Sequence, residues 1–190
     1  MAGVDNTPCS SSKRDAAPNC TALALELRDA AHAVSEGTRR HRLVLLVGEP
    51  RSGKTTALRA LSDKTGWPLL GLNLPLSERL LELPTRFRVI SVLDHVRKIV
   101  DASEGDVLII DNIELLFDHQ LHVDPVGLLL ELARHRSIIA SWPGTHDGTA
   151  LVYADPTHLE HRRDSRSGYL IVQSRIVSSH VGGHPPEVEP

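Results

Sequence analysis

Between Val47 and Thr56 the chain reads VGEPRSGKTT, in which Gly48, Gly53, Lys54 and Thr55 satisfy the spacing G-x-x-x-x-G-K-[ST] in full. Residues of these types in this order can hold a polyphosphate. The two glycines let main-chain N–H groups come close to phosphate oxygens, Glu49, Pro50, Arg51 and Ser52 form the loop between them, and Thr56 carries the chain on into a helix. Lys54 can place a cation on the β and γ phosphates, and the Thr55 hydroxyl can ligate Mg²⁺. A glycine turn beside a chance lysine would look the same over ten letters, so the flanks decide. The motif needs a buried strand before it and a helix after it, and RLVLLVG and GKTTALRALSDKTG supply both patterns.

A phosphate loop needs a partner carboxylate for the metal, and Val107-Leu108-Ile109-Ile110-Asp111 ends an apolar strand in one. Hydrolysis further needs a group that orients or deprotonates water. In P-loop enzymes with an inserted strand this is commonly a Glu directly after that Asp, but here the position is Asn112. Asn can orient water and cannot take its proton, which leaves Glu114 or the loop residue Glu49 as the base, or turnover slow. Glu114 reads equally well as a solvated residue at a helix start. Ser141, just past Ile138-Ile139-Ala140, stands where a polar side chain could sense the γ-phosphate, or is a plain strand-end serine. The run His161-Arg162-Arg163-Asp164-Ser165-Arg166 is expected to end a short helical stretch before the last strand. There Arg162 or Arg163 could neutralise transition-state charge at a neighbouring subunit's nucleotide. A nucleic-acid contact or a solvated basic turn are the other readings. Arg39-Arg40-His41-Arg42 reads as a solvated lead into the first strand.

These groups have to be placed by a framework, and the hydrophobic pattern supplies one. Leu23, Leu27, Ala30, Ala31 and Val34 recur at helical spacing, with Asn19 expected as N-cap and Gly37 as the stop. RLVLLVG, WPLLGLNLPL, DVLIIDNIE, SIIASWPG and GYLIVQS read as five strands. Helical patterns separate the first four, including a helix or two across residues 77–105 interrupted near Pro84, and another starting at Asp124-Pro125. Such alternation predicts an α/β fold of three layers, a five-stranded and mainly parallel sheet between helices. Residues 1–18 and 178–190 read as disordered leader and tail around a single domain at 19–177.

Composition limits the partners. A net charge of −3 gives no global positive field for nucleic acid, and six scattered aromatics offer no stacking platform. No apolar run approaches the ~20 residues of a membrane span, and the polar N-terminus lacks a secretory core. Cys9 and Cys20 both lie near the N-terminus, so a cytoplasmic protein without a disulfide framework is expected. Eleven histidines are dispersed without zinc-type spacing, leaving magnesium as the expected metal.

With the loop, the inserted strand, Asp111, Ser141 and the arginines before the last strand in view, residues 20–177 resemble a minimal AAA+ ATPase core. DVLIIDNIELLF is similar to the corresponding strand and turn of replication-initiator-like ATPases. The segments GEPRSGKTTALRAL, LNLPLSERLLELPTR, DNIELLF and the WPG tripeptide at 142–144 resemble the BrxF family, small P-loop components of type 3 BREX phage-exclusion systems. That resemblance implies an Mg·ATP-dependent ATPase of antiviral defence, working with a methyltransferase and other BREX components. Its nucleotide state would control homo-oligomerisation, with arginine supplied in trans, and contact with DNA, directly or through partners. The chain departs from the full AAA+ plan in having no expected C-terminal helical lid, which puts ring assembly in doubt. A P-loop small-molecule kinase and an ATP-binding adaptor that does not hydrolyse are the competing functions. No guanine-reading Asn/Thr-Lys-x-Asp stretch occurs, which favours ATP over GTP.

Overall fold

The computed structural model describes residues 16–37 and 40–174. The expected tails therefore lie largely outside the described residues, and so does Arg39. Helix α1 spans Ala16–Glu36, starting four residues before the position that an Asn19 cap would set. Asn19 accordingly sits inside the helix and is not its N-cap. The stripe itself is buried, with Leu27, Ala31 and Val34 packed against the sheet and Leu23 and Ala30 at its margin.

Strand β1 (Leu43–Gly48) runs into the glycine loop, and α2 (Lys54–Thr65) leaves it. Strand β2 is only Leu69–Gly71. The second half of WPLLGLNLPL is not strand: it opens α3 (Asn73–Leu81). Backbone accounting explains the break. The N–H groups of Leu72 and Asn73 donate to the carbonyls of Asp111 and Asn112 at 2.9 and 3.0 Å, and Leu72 already has helical angles. Pro75 then falls in the first helical turn, where a missing N–H costs nothing. Helix α4 (Thr85–Asp101) follows Pro84, whose extended backbone separates it from α3.

Strand β3 (Val107–Asp111) is followed by two short 3₁₀ turns, Glu114–Phe117 and His119–Leu121, and by α5 (Pro125–Leu132). Asp124 caps α5 through Gly127 N–H, with Pro125 at its first position. Strand β4 (Ser137–Pro143) and strand β8 (Tyr169–Gln173) complete the main sheet. Its order is β2-β3-β4-β1-β8, and every pairing in it is parallel.

Alternation along the buried strands divides the core into two layers. Leu43, Leu45, Val47, Leu108, Ile110 and Trp142 face α3, α4 and α5, whereas Val44, Leu46, Ile109 and Ile139 face α1 and α2. The result is the expected three-layer α/β P-loop fold, and among the described residues no helix follows β8. Strands β5 (Thr145–His146), β6 (Leu151–Tyr153) and β7 (Arg162–Asp164) form a separate antiparallel sheet between β4 and β8. Nothing in the hydrophobic pattern anticipated it. Arg162 and Arg163, expected at the end of a helical stretch, instead lie on an edge strand, because Tyr153 and Val152 of β6 pair with them.

Candidate active site

Strand β4 lies between β1 and β3, so the loop and Asp111 leave the same edge of the sheet one strand apart, flanking the end of β4. Clefts at the carboxyl ends of parallel strands are where such sheets bind ligands. Here a cleft of about 510 Å³ is lined by the loop residues 50–56 together with Asp111, Asn112, Glu114, Pro143 and Tyr153.

Local chemistry shapes the loop. A side chain at Gly48 would strike Ser52 Oγ at 2.4 Å and Ser174 Cβ at 2.9 Å, so only hydrogen fits where the loop crosses the end of β8. Gly53 and Arg51 take left-handed backbone angles, φ 81° and 66°, and Ser52 N–H closes a turn onto Glu49 C=O at 3.2 Å. Ser174 Oγ donates to Ser52 C=O, tying β8 to the loop.

Lys54 is 9% exposed, and its ammonium donates to the carbonyls of Gly48 and Glu49 at 2.5 and 2.8 Å. Burial pushes its pKa down, opposed by the carboxylates of Asp111, Glu114 and Glu49. The ammonium is held by two main-chain carbonyls at the border of the cleft. Asp111 is 5% exposed at the end of β3.

Asn112 has φ 55°, in the left-handed region that Asn tolerates better than Glu. The backbone directly after Asp111 thus suits the asparagine that stands there. The next carboxylate, Glu114, lines the cleft and is held by Asn73, whose Nδ2 donates to Glu114 Oε2 at 3.1 Å. The same side chain accepts Leu115 N–H through Oδ1 at 3.0 Å. Asn73 went unnoticed in the sequence, where LNLPL reads as strand; the asparagine interrupting that apolar run was the one available signal.

Ser141 is within β4, 1% exposed and paired opposite Leu46, and it does not line the cleft. Pro143, two residues on, is the β4 residue that does. Arg162 and Arg163 do not line the cleft either. Arg163 is paired with Asp147 and donates to Thr149 Oγ1 at 3.0 Å, while Arg162 donates to the carbonyl of His161 at 3.1 Å. Arg166 forks onto Asp124 and also pairs with Asp164. Arg166 thus ties this segment to the start of α5, away from the residues that line the cleft. Arg40 is exposed, and His41 Nδ1 bonds Leu130 C=O at 2.9 Å, so residues 40–42 form a half-buried lead into β1.

Residues 44–137 match the family described as ATPase family associated with various cellular activities, or AAA. This span carries an AAA ATPase domain. The AAA match runs from inside β1 to the first residue of β4, so it contains the loop, Asp111, Asn112 and Glu114, and ends before Ser141 and the arginines. No curated protein matches the chain. Among the described residues no helix is long and apolar enough to cross a membrane.

The DNIELLF and WPG segments meet next to the cleft. Phe117 stacks on Tyr153 with centroids 3.8 Å apart and meets Trp142 edge-on at 5.1 Å. Trp142 Nε1 donates to Val152 C=O at 3.3 Å. At Gly144 an added Cβ would sit 2.0 Å from that same carbonyl, so the small sheet closes directly onto the end of β4.

Proposed function

We propose that this protein binds Mg·ATP in the cleft and hydrolyses it. The observation that carries the reading is the convergence of Lys54, Thr55, Asp111 and Glu114 on one cleft at the end of the parallel sheet. The donor set fits the ligands: a desolvated ammonium and the N-terminal amides of α2 for phosphate, and a hydroxyl with a buried carboxylate for the ion. Thr55 and Asp111 would hold magnesium, which when bound offsets charge on the phosphates. Gly48 to Thr56 would wrap the polyphosphate. Glu114, oriented by Asn73, is the residue suited to draw a proton from water, and Asn112 to orient that water. Ser141 acts at most through its neighbours.

The finer reading is that of a BREX type 3 component related to BrxF, in which nucleotide state controls self-association and engagement of other BREX components or DNA. GEPRSGKTTALRAL, DNIELLF and WPG support it. An arginine supplied in trans would then be Arg162, since Arg163 is committed to Asp147.

Titrating ATP and GTP into the purified protein while following its size and phosphate release tests both levels. The expected outcome is ATP binding that changes oligomer size, with Lys54→Ala losing nucleotide affinity by about a hundredfold or more while its melting curve is retained. Full-strength binding in that variant would overturn the site, and binding without phosphate release would leave an adaptor.

A further inference from the structure

A second depression, of about 560 Å³, opens beside the first and shares Glu114 and Tyr153 with it. It is lined by three carboxylates, Glu114, Asp118 and Glu160, and among the described residues that line it there is no lysine or arginine. Negative charges brought together without a counter-charge favour an added cation. At its margin Asp118, His119 and Glu160 each bring one ligand atom to within 4.8 Å of the other two. A first-row ion bonded at about 2.0–2.2 Å in tetrahedral geometry needs its donors roughly 3.3–3.6 Å apart, so side-chain rotation has to draw them together by up to about 1.5 Å.

The donors are held in different ways. Asp118 is oriented by Gln120 N–H, which donates to its Oδ1 at 2.8 Å, and His119 Nδ1 lies 3.7 Å from that oxygen. Glu160 is reached by the Tyr153 hydroxyl at 3.4 Å. An imidazole beside two carboxylates is a donor set for a transition ion, whereas magnesium takes oxygen alone.

We propose that Asp118, His119 and Glu160 bind one divalent transition-metal ion of the zinc or manganese class, at a site distinct from Thr55 and Asp111. Asp118 and His119 follow the 3₁₀ turn that begins with Glu114, while Glu160 belongs to the connection from β6 to β7. The ion therefore links the small sheet to the segment carrying Glu114. Three protein ligands also leave a position open to water or to an anionic ligand.

The proposal does not depend on the nucleotide reading, and its test keeps the two apart. The full chain, free of nucleotide and magnesium, is titrated with Zn²⁺ by calorimetry and with Co²⁺ by visible absorption. One ion per chain is expected, with a Co²⁺ spectrum showing nitrogen and oxygen ligation. His119→Ala and Glu160→Gln should each weaken binding at least about tenfold, and Lys54→Ala should bind as the parent does. Both replaced side chains are at the surface or near it, so the fold should persist, as circular dichroism will show. Absence of saturable binding, or unchanged affinity in both variants, would overturn the site.

Discussion

The two sheets of this molecule are stabilised by different means. In the parallel sheet β4 is buried along its whole length and β1 up to its last residue, and their partners are Leu, Ile and Val from helices on both faces. In the small antiparallel sheet no strand exceeds three residues, and most positions are partly exposed. Apart from Leu151, which is buried in the main core, it is held by the Phe117–Tyr153–Trp142 ring cluster, by Arg163 with Asp147, and by Arg166 bridging Asp124 and Asp164. A framework built on apolar area resists local change. An annex held by one core leucine, a few rings and ion pairs is expected to respond to single substitutions, and it is the annex that supplies Tyr153 to the cleft.

The largest expected effect comes from Phe117→Ala, which empties a fully buried position and unstacks Tyr153. It should cost about 3–5 kcal/mol in urea denaturation. Hydrogen exchange in the variant should accelerate first at residues 151–153 and 162–164 and least at β1 and β4. Uniform acceleration would mean that the two sheets open as one unit. At the junction of both regions with the cleft, Asn73→Ala frees the Glu114 carboxylate. Turnover should fall about tenfold with ATP affinity nearly unchanged, the pattern of a lost orienting contact. A matching loss of affinity would assign Asn73 to binding.

The smallest effect separates charge from packing. Arg166 holds the Asp124 carboxyl below its usual pKa of 3.8, chiefly through hydrogen bonds. A depressed carboxyl stabilises the fold above its unfolded value and loses that contribution as pH falls through its lower folded value. Asp124→Asn keeps a capping side chain, so at pH 7 it should cost less than about 1 kcal/mol. That difference from the parent should vanish in melting curves taken as pH falls through the lowered folded-state pKa of Asp124. A difference that persists there would place Asp124's role in shape and not in charge.

The same contrast explains what could be read in advance. Continuous apolar strands and a stripe such as Leu27, Ala31 and Val34 announce themselves locally, because burial on a periodic element leaves a periodic trace. The loop and Asp111 were legible for the same reason, as each terminates such a strand. The small sheet left no trace, since two- and three-residue strands are too short to show a period even though their partners are near in the chain. Asn73 was hidden by tertiary hydrogen bonds that turn an apolar run into a helix start. Ser141 was expected just past its strand, but β4 continues through Trp142 to Pro143.

The ammonium of Lys54, folded back onto the carbonyls of Gly48 and Glu49, makes the loop its own counter-ligand. Any guest must draw that cation away from two dipoles before it gains the contact. On the proposed nucleotide reading, two or three linked phosphates offer more charge for this exchange than a single one, so the resting loop would rank triphosphate and diphosphate above monophosphate.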